Sequence, residues 1–303
     1  MPEVPKTVWL NGKIKKFEDA NISILSHGLH YGTGIFEGIR SYKTEDGPAI
    51  FRLDDHVKRF FQSARIYSMN LNRSENEIRE AILDISIKNN ADDSYIRPLA
   101  FYSSTKLGLH PSDPDITIAI IVSRLDLYMG KTNDGIRTKI SPWRKIDSTA
   151  LPSMAKGTGQ YLSSYLSSRD AKMDGYNEAI LLDRSGYVCE GPGENIFSVK
   201  NGQVYTPSLE SPILAGITRD TVIKIMGKKN QVVEKRIGLS ELLTSDEAFF
   251  AGTAAEITPI SEISGYKLNS SNPHSISNKV KSMYFDVVRG KNGKFKSWLT
   301  YLS

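Results

Sequence analysis

A lysine set among small residues is the first candidate for chemistry in this sequence. Lys156 stands in the segment Met154-Ala-Lys-Gly-Thr-Gly-Gln-Tyr161, where an amphipathic helix is predicted over residues 155–172. Two glycines within three residues disfavour a helical turn, since each costs about 1 kcal/mol relative to alanine. We interpret them as room for a ligand against the backbone. A lysine held away from water there has a lowered pKa, and its free amine can attack a carbonyl. A solvated surface lysine is the commoner alternative.

A pair of carboxylates around a tight turn is the second candidate. The segment Val188-Cys-Glu-Gly-Pro-Gly-Glu-Asn-Ile-Phe197 places Glu190 at the end of an apolar strand and Glu194 after the turn. In an ordinary hairpin loop both carboxylates would lie in water. At the end of a buried strand, Glu190 would instead lie beneath a bound ring nitrogen and keep it protonated, which makes the ring an electron sink.

Two further segments suit an anion. In Leu214-Ala-Gly-Ile-Thr-Arg-Asp220 a glycine leads into a predicted helix, whose first N–H groups favour negative charge, and Thr218 adds a hydroxyl. The run Ala251-Gly-Thr-Ala-Ala-Glu-Ile-Thr258 follows an apolar strand and lets a ligand approach the main chain. An ordinary helix start and tight packing are the respective alternatives.

The elements that must position these residues are strands and helices without strict alternation. Asn11-Gly12 predicts a hairpin, and residues 35–42 predict one continuous strand. Ser74 and Glu77 fit the S-x-x-E capping box of a helix start. Residues 178–206 predict a meander of short strands. This mixture argues against a doubly wound parallel sheet, and the polar, turn-rich stretch 123–134 predicts a linker between two domains.

Composition excludes several classes of protein. The chain has 303 residues, 39% of them hydrophobic and 24% charged, which suits a globular protein of about two domains. A single cysteine excludes an internal disulfide framework and a cysteine-rich metal site. Without a visible signal peptide or apolar span, we expect an intracellular, cytoplasmic protein. Lys and Arg total 39 against 34 Asp and Glu, and residues 279–296 alone hold six basic residues and one acid. That basic tail is typical of a solvated face, and no nucleic-acid-binding motif accompanies it.

The order of these motifs resembles the branched-chain amino acid aminotransferases, which are pyridoxal-phosphate enzymes of fold type IV. The resemblance covers nearly the whole chain. It is carried by six segments in one order: His30-Tyr-Gly-Thr-Gly-Ile-Phe-Glu-Gly-Ile-Arg-Ser-Tyr42, Tyr95-Ile-Arg-Pro98, Lys156 with Tyr161, Glu190-Gly-Pro-Gly-Glu-Asn-Ile-Phe197, Leu214-Ala-Gly-Ile-Thr218 and Gly252-Thr-Ala-Ala-Glu-Ile-Thr-Pro259.

The resemblance implies a two-domain α+β fold similar to that of D-amino acid aminotransferase. A small mixed α/β domain would span residues 1–122, a linker residues 123–134, and a larger cofactor-binding domain with a barrel-like sheet residues 135–303. The family forms at least homodimers that share active-site residues, with a hexamer as a further option.

The resemblance also assigns the cofactor, pyridoxal 5'-phosphate, to particular residues. Lys156 is the expected catalytic lysine that binds it covalently, Glu190 the partner of its ring nitrogen and Tyr161 the partner of its ring hydroxyl. The expected phosphate ligands are Arg59, Ile217, Thr218 and Thr253.

Substrate residues follow from the same resemblance. The α-carboxylate is expected at Tyr95 and at the main chain of Thr253 and Ala254, and Arg97 is expected to meet the distal carboxylate of glutamate. The expected side-chain pocket comprises Tyr31, Phe36, Leu109, Tyr128 and Tyr161, with Tyr31 and Leu109 supplied by the neighbouring subunit. Two positions depart from the family: Gln160 replaces an asparagine, and residues 103–111 differ from the family's usual loop.

The implied activity is reversible transfer of an amino group between L-leucine, L-isoleucine or L-valine and 2-oxoglutarate, giving branched 2-oxo acids and L-glutamate. Aromatic walls suit the branched substrates and an arginine suits glutamate. A D-amino acid aminotransferase and an aminodeoxychorismate lyase share the fold and are the nearest alternatives. A nucleic-acid-binding protein that uses the basic tail is the alternative from another class.

Overall fold

The structure is a computed structural model that describes residues 5–110, 115–124, 135–227 and 232–302. The chain divides into two compact units. Unit 1 comprises Met1–Asp126, Ala155–Gln160 and Val287–Ser303, and unit 2 comprises Leu127–Met154 and Tyr161–Asp286. The domain boundaries drawn from the sequence stay a prediction, and most of the expected linker lies outside the described residues.

Unit 1 is built on an eight-stranded sheet with strand order β18-β5-β4-β6-β7-β1-β2, in which β3 also pairs with β6. Its elements are β1 (Thr7–Leu10), β2 (Lys13–Lys16), α1 (His27–Tyr31), β3 (Gly34–Phe36), β4 (Ile39–Thr44), β5 (Gly47–Phe51), α2 (Leu53–Ile66), α3 (Glu75–Lys88), β6 (Ser94–Tyr102), β7 (Ile116–Arg124) and β18 (Leu299–Tyr301).

Local sequence signals account for several of these elements. The Asn11-Gly12 turn joins β1 to β2, with Leu10 opposite Lys13. The capping box at α3 is present, because the Ser74 hydroxyl accepts from the Glu77 N–H and the Glu77 carboxylate accepts from the Ser74 N–H. Helices α2 and α3 bury one apolar side each, and these sides join the core of the unit with the inner face of the sheet.

The strand predicted over residues 35–42 is interrupted in the structure. It ends at Phe36 and resumes at Ile39, because Glu37 turns its carboxylate into the buried interior of the unit. Gly38 follows, and its Cα faces the Tyr95 ring.

Unit 2 is built on a ten-stranded sheet with strand order β13-β12-β11-β15-β16-β8-β9-β10-β14, in which β17 pairs with β16. Its elements are β8 (Ile136–Ile140), α4 (Tyr161–Met173), β9 (Glu178–Leu182), β10 (Tyr187–Glu190), β11 (Asn195–Lys200), β12 (Gln203–Pro207), α5 (Ile217–Met226), β13 (Val233–Lys235), β14 (Ile237–Gly238), α6 (Leu239–Leu243), β15 (Glu247–Gly252), β16 (Glu256–Ile263), β17 (Tyr266–Lys267) and α7 (Ile276–Val288), whose last residues lie in unit 1.

An extra pairing closes part of this sheet into a barrel. Strands β10 and β11 pair at Glu190 and Asn195, which completes a ring of six strands, β11-β15-β16-β8-β9-β10. All five residues of β9 are buried, as expected for a strand covered on both faces. The expected α+β fold with a barrel-like sheet is confirmed.

Within the described ranges, no helix has the length and apolar character needed to cross a membrane. The basic tail is part of the folded chain, because Arg289 pairs with Asp93 at 2.5 Å and Lys296 pairs with Asp46 at 3.1 Å. Two of the six basic residues of the tail are therefore engaged with acids of unit 1.

Candidate active site

Lys156 is held in an extended segment of unit 1 by both of its backbone groups. Its N–H donates to the Ser63 hydroxyl of α2 at 3.0 Å, and its carbonyl accepts from the Phe36 N–H at 3.0 Å. Helix α4 begins only at Tyr161, after a short 3-10 turn at Thr158–Gln160, so the helix predicted from residue 155 starts later than expected. Lys156 therefore projects from a fixed loop.

The amine of Lys156 has the electrostatics of a nucleophile. Burial, and then the positive charge of Arg59, lower the pKa of Lys156 to about 8, although the Glu37 carboxylate acts in the opposite direction. The ammonium also lies 4.9 Å from the centre of the Phe36 ring. An amine with this pKa is about one-tenth neutral at pH 7, and its neutral form can attack a carbonyl.

The glycines around Lys156 are explained by packing within unit 1. A Cβ on Gly157 would lie 2.0 Å from the Tyr67 hydroxyl, and a Cβ on Gly159 would lie 3.2 Å from the Gly32 carbonyl oxygen. The glycines therefore make room for Tyr67 and Gly32 of the same unit. From the sequence, this room was interpreted as space for a ligand. Gln160 donates to the same Tyr67 hydroxyl at 3.1 Å, which gives this departure from the family a structural role.

Arg59 lies in a buried ion pair. Its Nε donates to Glu37 Oε1 at 2.6 Å and its Nη2 donates to Oε2 at 2.8 Å, while His56 Nδ1 bonds Oε2 at 2.8 Å. The Glu37 side chain has no solvent exposure and that of Arg59 is 9% exposed. A bidentate pair fixes the guanidinium plane and uses two of its five donor hydrogens. Its assignment to the cofactor phosphate stays a prediction.

Three of the expected substrate residues cluster in unit 1. The Arg97 guanidinium lies 4.5 Å from the Phe36 ring centre and 5.1 Å from the Tyr95 ring centre. Arg97 Nη2 also donates to the Tyr95 hydroxyl at 2.9 Å, and its Nε is buried with no hydrogen-bond partner among the described atoms. A cation against two aromatic rings forms an apolar wall with one charged group available to an anion.

The remaining pocket residues of unit 1 are placed differently. Tyr31 is 40% exposed at the end of α1, and Leu109 is 72% exposed in the loop after β6. This exposure accords with the expectation that both serve a neighbouring subunit, which stays a prediction. Tyr128 lies outside the described residues.

Glu190 is buried in unit 2 with donors at both carboxylate oxygens. Its Oε1 lies 2.5 Å from the Lys145 ammonium, and its Oε2 accepts from the Leu214 N–H at 3.1 Å and from the Asn195 amide at 3.2 Å. Glu194, which an ordinary loop would leave in water, is buried as well and accepts from the Gly193 N–H.

The start of helix α5 lies beside this carboxylate. Ile217 and Thr218 are buried in its first turn, and Gly216 at the N-cap has no side chain to cap it. A Cβ on Gly216 would lie 1.9 Å from Asn195 Oδ1, so only glycine fits there. The same Asn195 amide bonds Glu190 and the Leu214 carbonyl. Asn195 therefore links the buried acid to a helix end that favours an anion.

Thr253 and Ala254 lie in the tight turn between β15 and β16. Cross-strand pairs place Glu190 opposite Asn195 and Asn195 opposite Ala251, so the turn is at the same end of the barrel as Glu190. Tyr161, the first residue of α4, lies close to Lys145. Unit 2 thus brings several of the expected cofactor and substrate residues to one region.

Four residues of these clusters were missed from the sequence: Glu37, His56, Lys145 and Asn195. Two sequence signals pointed to the buried ion pair. Glu37 stands in an otherwise apolar strand, and His56 and Arg59 are one helical turn apart. Lys145 stands in a polar segment without hydrophobic periodicity, so the sequence gave no signal for its role.

The fold and these two clusters define an aminotransferase-type protein. The amino-transferase class IV family matches residues 34–263, so the chain belongs to that family.

Named relatives extend over nearly the whole chain. A branched-chain-amino-acid aminotransferase of Pseudomonas aeruginosa is 40% identical over 97% of this chain and 96% of its own length. A probable branched-chain-amino-acid aminotransferase of Aquifex aeolicus is 43% identical over 96% and 95%.

Solved structures agree with these relatives. The Escherichia coli branched-chain amino acid aminotransferase superposes with a TM-score of 0.95 at 36% identity, covering 99% of this chain and all of that one. A second solved branched-chain amino acid aminotransferase, from T.th., is complexed with N-(5'-phosphopyridoxyl)-L-glutamate. It superposes with a TM-score of 0.93 at 37% identity and 99% coverage of both chains.

Proposed function

We propose that the protein is a branched-chain amino acid aminotransferase that uses pyridoxal 5'-phosphate to exchange an amino group between L-leucine, L-isoleucine or L-valine and 2-oxoglutarate. The observation that carries this proposal is Lys156, whose backbone is fixed at both ends and whose pKa is lowered to about 8 beside an aromatic wall. Family membership and the names of the relatives support it.

The residues present fit the cofactor. Glu190 offers a buried carboxylate for a protonated ring nitrogen, and α5 offers N–H groups and Thr218 for a phosphate at an N-cap where Gly216 brings no side chain. Arg59 adds a fixed positive charge in unit 1. We assign the phosphate to Arg59, Ile217, Thr218 and Thr253, and the ring hydroxyl to Tyr161.

When bound, pyridoxal phosphate supplies a ring that draws electrons away from the substrate α-carbon. Glu190 would hold a proton on the ring nitrogen, which would strengthen that withdrawal. Lys156 would hold the cofactor through its amine, and the free amine would take the α-proton and return it as a general base and acid. A pKa near 8 suits both roles, because neither protonation state is strongly disfavoured near neutral pH.

The substrate pocket follows from the cluster in unit 1. Phe36 and the Tyr95 ring provide an apolar wall for a branched side chain, and Arg97 provides a charge for the distal carboxylate of glutamate. One pocket can therefore serve both halves of the exchange. We place the α-carboxylate at Tyr95 and at the backbone of Thr253 and Ala254.

The alternatives are not favoured. Relatives at 36–43% identity, matched across at least 95% of their own length, are named for branched-chain activity and not for D-amino acids or aminodeoxychorismate. A nucleic-acid-binding function loses support because Arg289 and Lys296 of the basic tail are paired with acids of the same chain.

We further propose a cytoplasmic enzyme that is at least a homodimer, in which exposed Tyr31 and Leu109 complete the partner's pocket. A hexamer built from such dimers is a further option. Sedimentation of the purified protein measures the assembly, and a purely monomeric active enzyme would contradict the shared pocket.

The test of the proposed function compares Lys156→Ala with Lys139→Met, a control lysine in a surface ion pair with Asp170. Borohydride reduction followed by peptide mapping should place the cofactor on residue 156 in the wild type and in the control. Lys156→Ala should lose both the label and turnover of L-leucine with 2-oxoglutarate. D-alanine and 4-amino-4-deoxychorismate are assayed in parallel, and preferred turnover of either would refute the proposed substrate class.

A further inference from the structure

A buried lysine touches the acid that is assigned to the cofactor ring. Lys145 follows strand β8, and its N–H donates to the Leu182 carbonyl of β9 at 2.9 Å, which fixes its backbone in unit 2. Its ammonium lies 2.5 Å from Glu190 Oε1. The side chains of Lys145 and Glu190 are only 14% and 7% exposed. An ion pair this sheltered is screened little by solvent and acts strongly on both partners.

The surroundings keep the Lys145 ammonium charged. Burial alone would lower the pKa of Lys145, but Glu190, and then the Tyr161 phenol, outweigh it and raise that pKa. Cys189 also lies close to Lys145, and burial raises the pKa of its thiol well above its usual range, so it stays neutral. On the carboxylate, the Leu214 N–H and the Asn195 amide add two neutral donors at Oε2. Glu190 thus accepts from three donors, one charged and two neutral.

The position of Lys145 decides where a shared proton resides. A proton between Glu190 and a ring nitrogen gives either a carboxylate with a charged ring or a neutral acid with a neutral ring. The Lys145 ammonium attracts the carboxylate at contact distance and repels a charged ring beyond it from further away. Because the Coulomb energy falls with distance, the attraction is the larger effect.

We propose that Lys145 is a positioning residue that, through Glu190, holds the proton on the ring nitrogen of the cofactor. This inference rests on the proposed function, which assigns Glu190 to that nitrogen. Without the ammonium, the proton would pass to Glu190, the ring would become neutral, and electron withdrawal from the substrate would weaken.

The experiment uses the holoenzyme and four variants. Lys145→Met removes the charge at similar length, Lys145→Arg keeps the charge, Glu190→Gln removes the acid, and the double variant combines Lys145→Met with Glu190→Gln. Lys139→Met is the control, since Lys139 pairs with Asp170 on the surface of the same unit. The main measurement is the pH midpoint of the absorbance change of the bound cofactor, which reports the charge of the ring and its covalent link. kcat and KM for L-leucine and the melting temperature of each protein are measured beside it.

We expect Lys145→Met to raise the absorbance midpoint by about one pH unit, as removal of one nearby charge predicts. kcat should fall about tenfold with little change in KM, because the ring is affected and the substrate pocket is not. Lys145→Arg and the control should stay close to wild type. In the Glu190→Gln background, Lys145→Met should add little, since the two residues act through one proton.

An unchanged midpoint in Lys145→Met would overturn the inference. So would an Lys145→Arg protein that behaves like Lys145→Met, because the charge would then not be the cause. If Lys145→Met does not fold, Lys145→Gln provides the same loss of charge with a hydrogen-bond donor kept, and the same two outcomes decide. If Glu190→Gln itself keeps the wild-type midpoint and kcat, the assignment of Glu190 to the ring fails, which is a failure of the proposed function and is distinguishable from that of Lys145.

Discussion

The buried acid of unit 1 provides the sharpest prediction for stability. Glu37 has no solvent exposure, and its carboxylate accepts two bonds from Arg59, at 2.6 and 2.8 Å, and one from His56 at 2.8 Å. The substitution Glu37→Gln leaves the Arg59 guanidinium buried without its counter-charge. Removal of one partner from such a pair costs about 3–5 kcal/mol in free energy of unfolding.

That free energy converts into a measurable change in melting temperature. A chain of 303 residues has an unfolding entropy of about 0.6 kcal/mol per kelvin, so Glu37→Gln should lower the melting temperature by about 5–8 °C at pH 7. Circular dichroism of the cofactor-free protein is the assay, because cofactor binding would add its own stabilisation. Asp54→Asn is the matched control. It removes the acid of the more exposed Arg79–Asp54 pair and should shift the melting temperature by about 1 °C or less.

The stabilisation that Glu37 provides should depend on pH. Burial opposes ionisation of Glu37, but Arg59 and then His56 outweigh it and hold the pKa of Glu37 well below its usual range. A carboxyl group with a depressed folded-state pKa stabilises the protein above its unfolded-state pKa, about 4.3, and loses that stabilisation as the pH falls. The gap between wild type and Glu37→Gln should therefore narrow from pH 5 towards pH 2. A variant that melts within about 1 °C of wild type at pH 7, or a gap of constant size, would refute this reasoning.

Three further predictions concern the candidate site. Burial above all lowers the pKa of Lys156 to about 8. The rate at which pyridoxal phosphate attaches covalently to the cofactor-free protein should therefore rise with pH around a midpoint near 8, measured by stopped-flow absorbance. A midpoint near 10 would contradict this prediction. A Cβ on Gly38 would lie 2.1 Å from the Tyr95 hydroxyl, so Gly38→Ala should raise KM for L-leucine more than it lowers kcat in steady-state assays. A Cβ on Gly157 would lie 2.0 Å from the Tyr67 hydroxyl and 2.5 Å from Cζ of its ring, so Gly157→Ala should weaken cofactor binding about tenfold or more by equilibrium titration, and an unchanged affinity would contradict this prediction.

Elements with a local cause were predictable from the sequence. The hairpin at Asn11-Gly12 and the capping box at Ser74 depend on neighbouring residues, and both are present. The interruption of the predicted strand at Glu37 was not predictable, because the partners of that carboxylate lie 19 and 22 residues further along the chain, on α2. The closure of the barrel likewise depends on a pairing between strands, which leaves no mark in a single strand.

The residues of the candidate site also differ in whether the sequence could reveal them. Lys156 and Glu190 were found because a reactive side chain beside glycines is unusual in a sequence, and the family resemblance then gave each a role. Lys145 was missed, since nothing in a polar loop reveals that its ammonium reaches Glu190. Gln160 was noted only as a departure, and its hydrogen bond to Tyr67 required the fold.

The pairing of β18 with β5 has a consequence for biosynthesis. Residues 299–301 form hydrogen bonds with residues 49–51, and the Arg52 N–H donates to the Trp298 carbonyl at 2.7 Å. During synthesis, the edge of β5 that pairs with β18 stays without its strand partner until the residues of unit 2 have been made. An open strand edge is a template for pairing with other nascent chains, so a chaperone that covers this edge during translation would suppress such pairing.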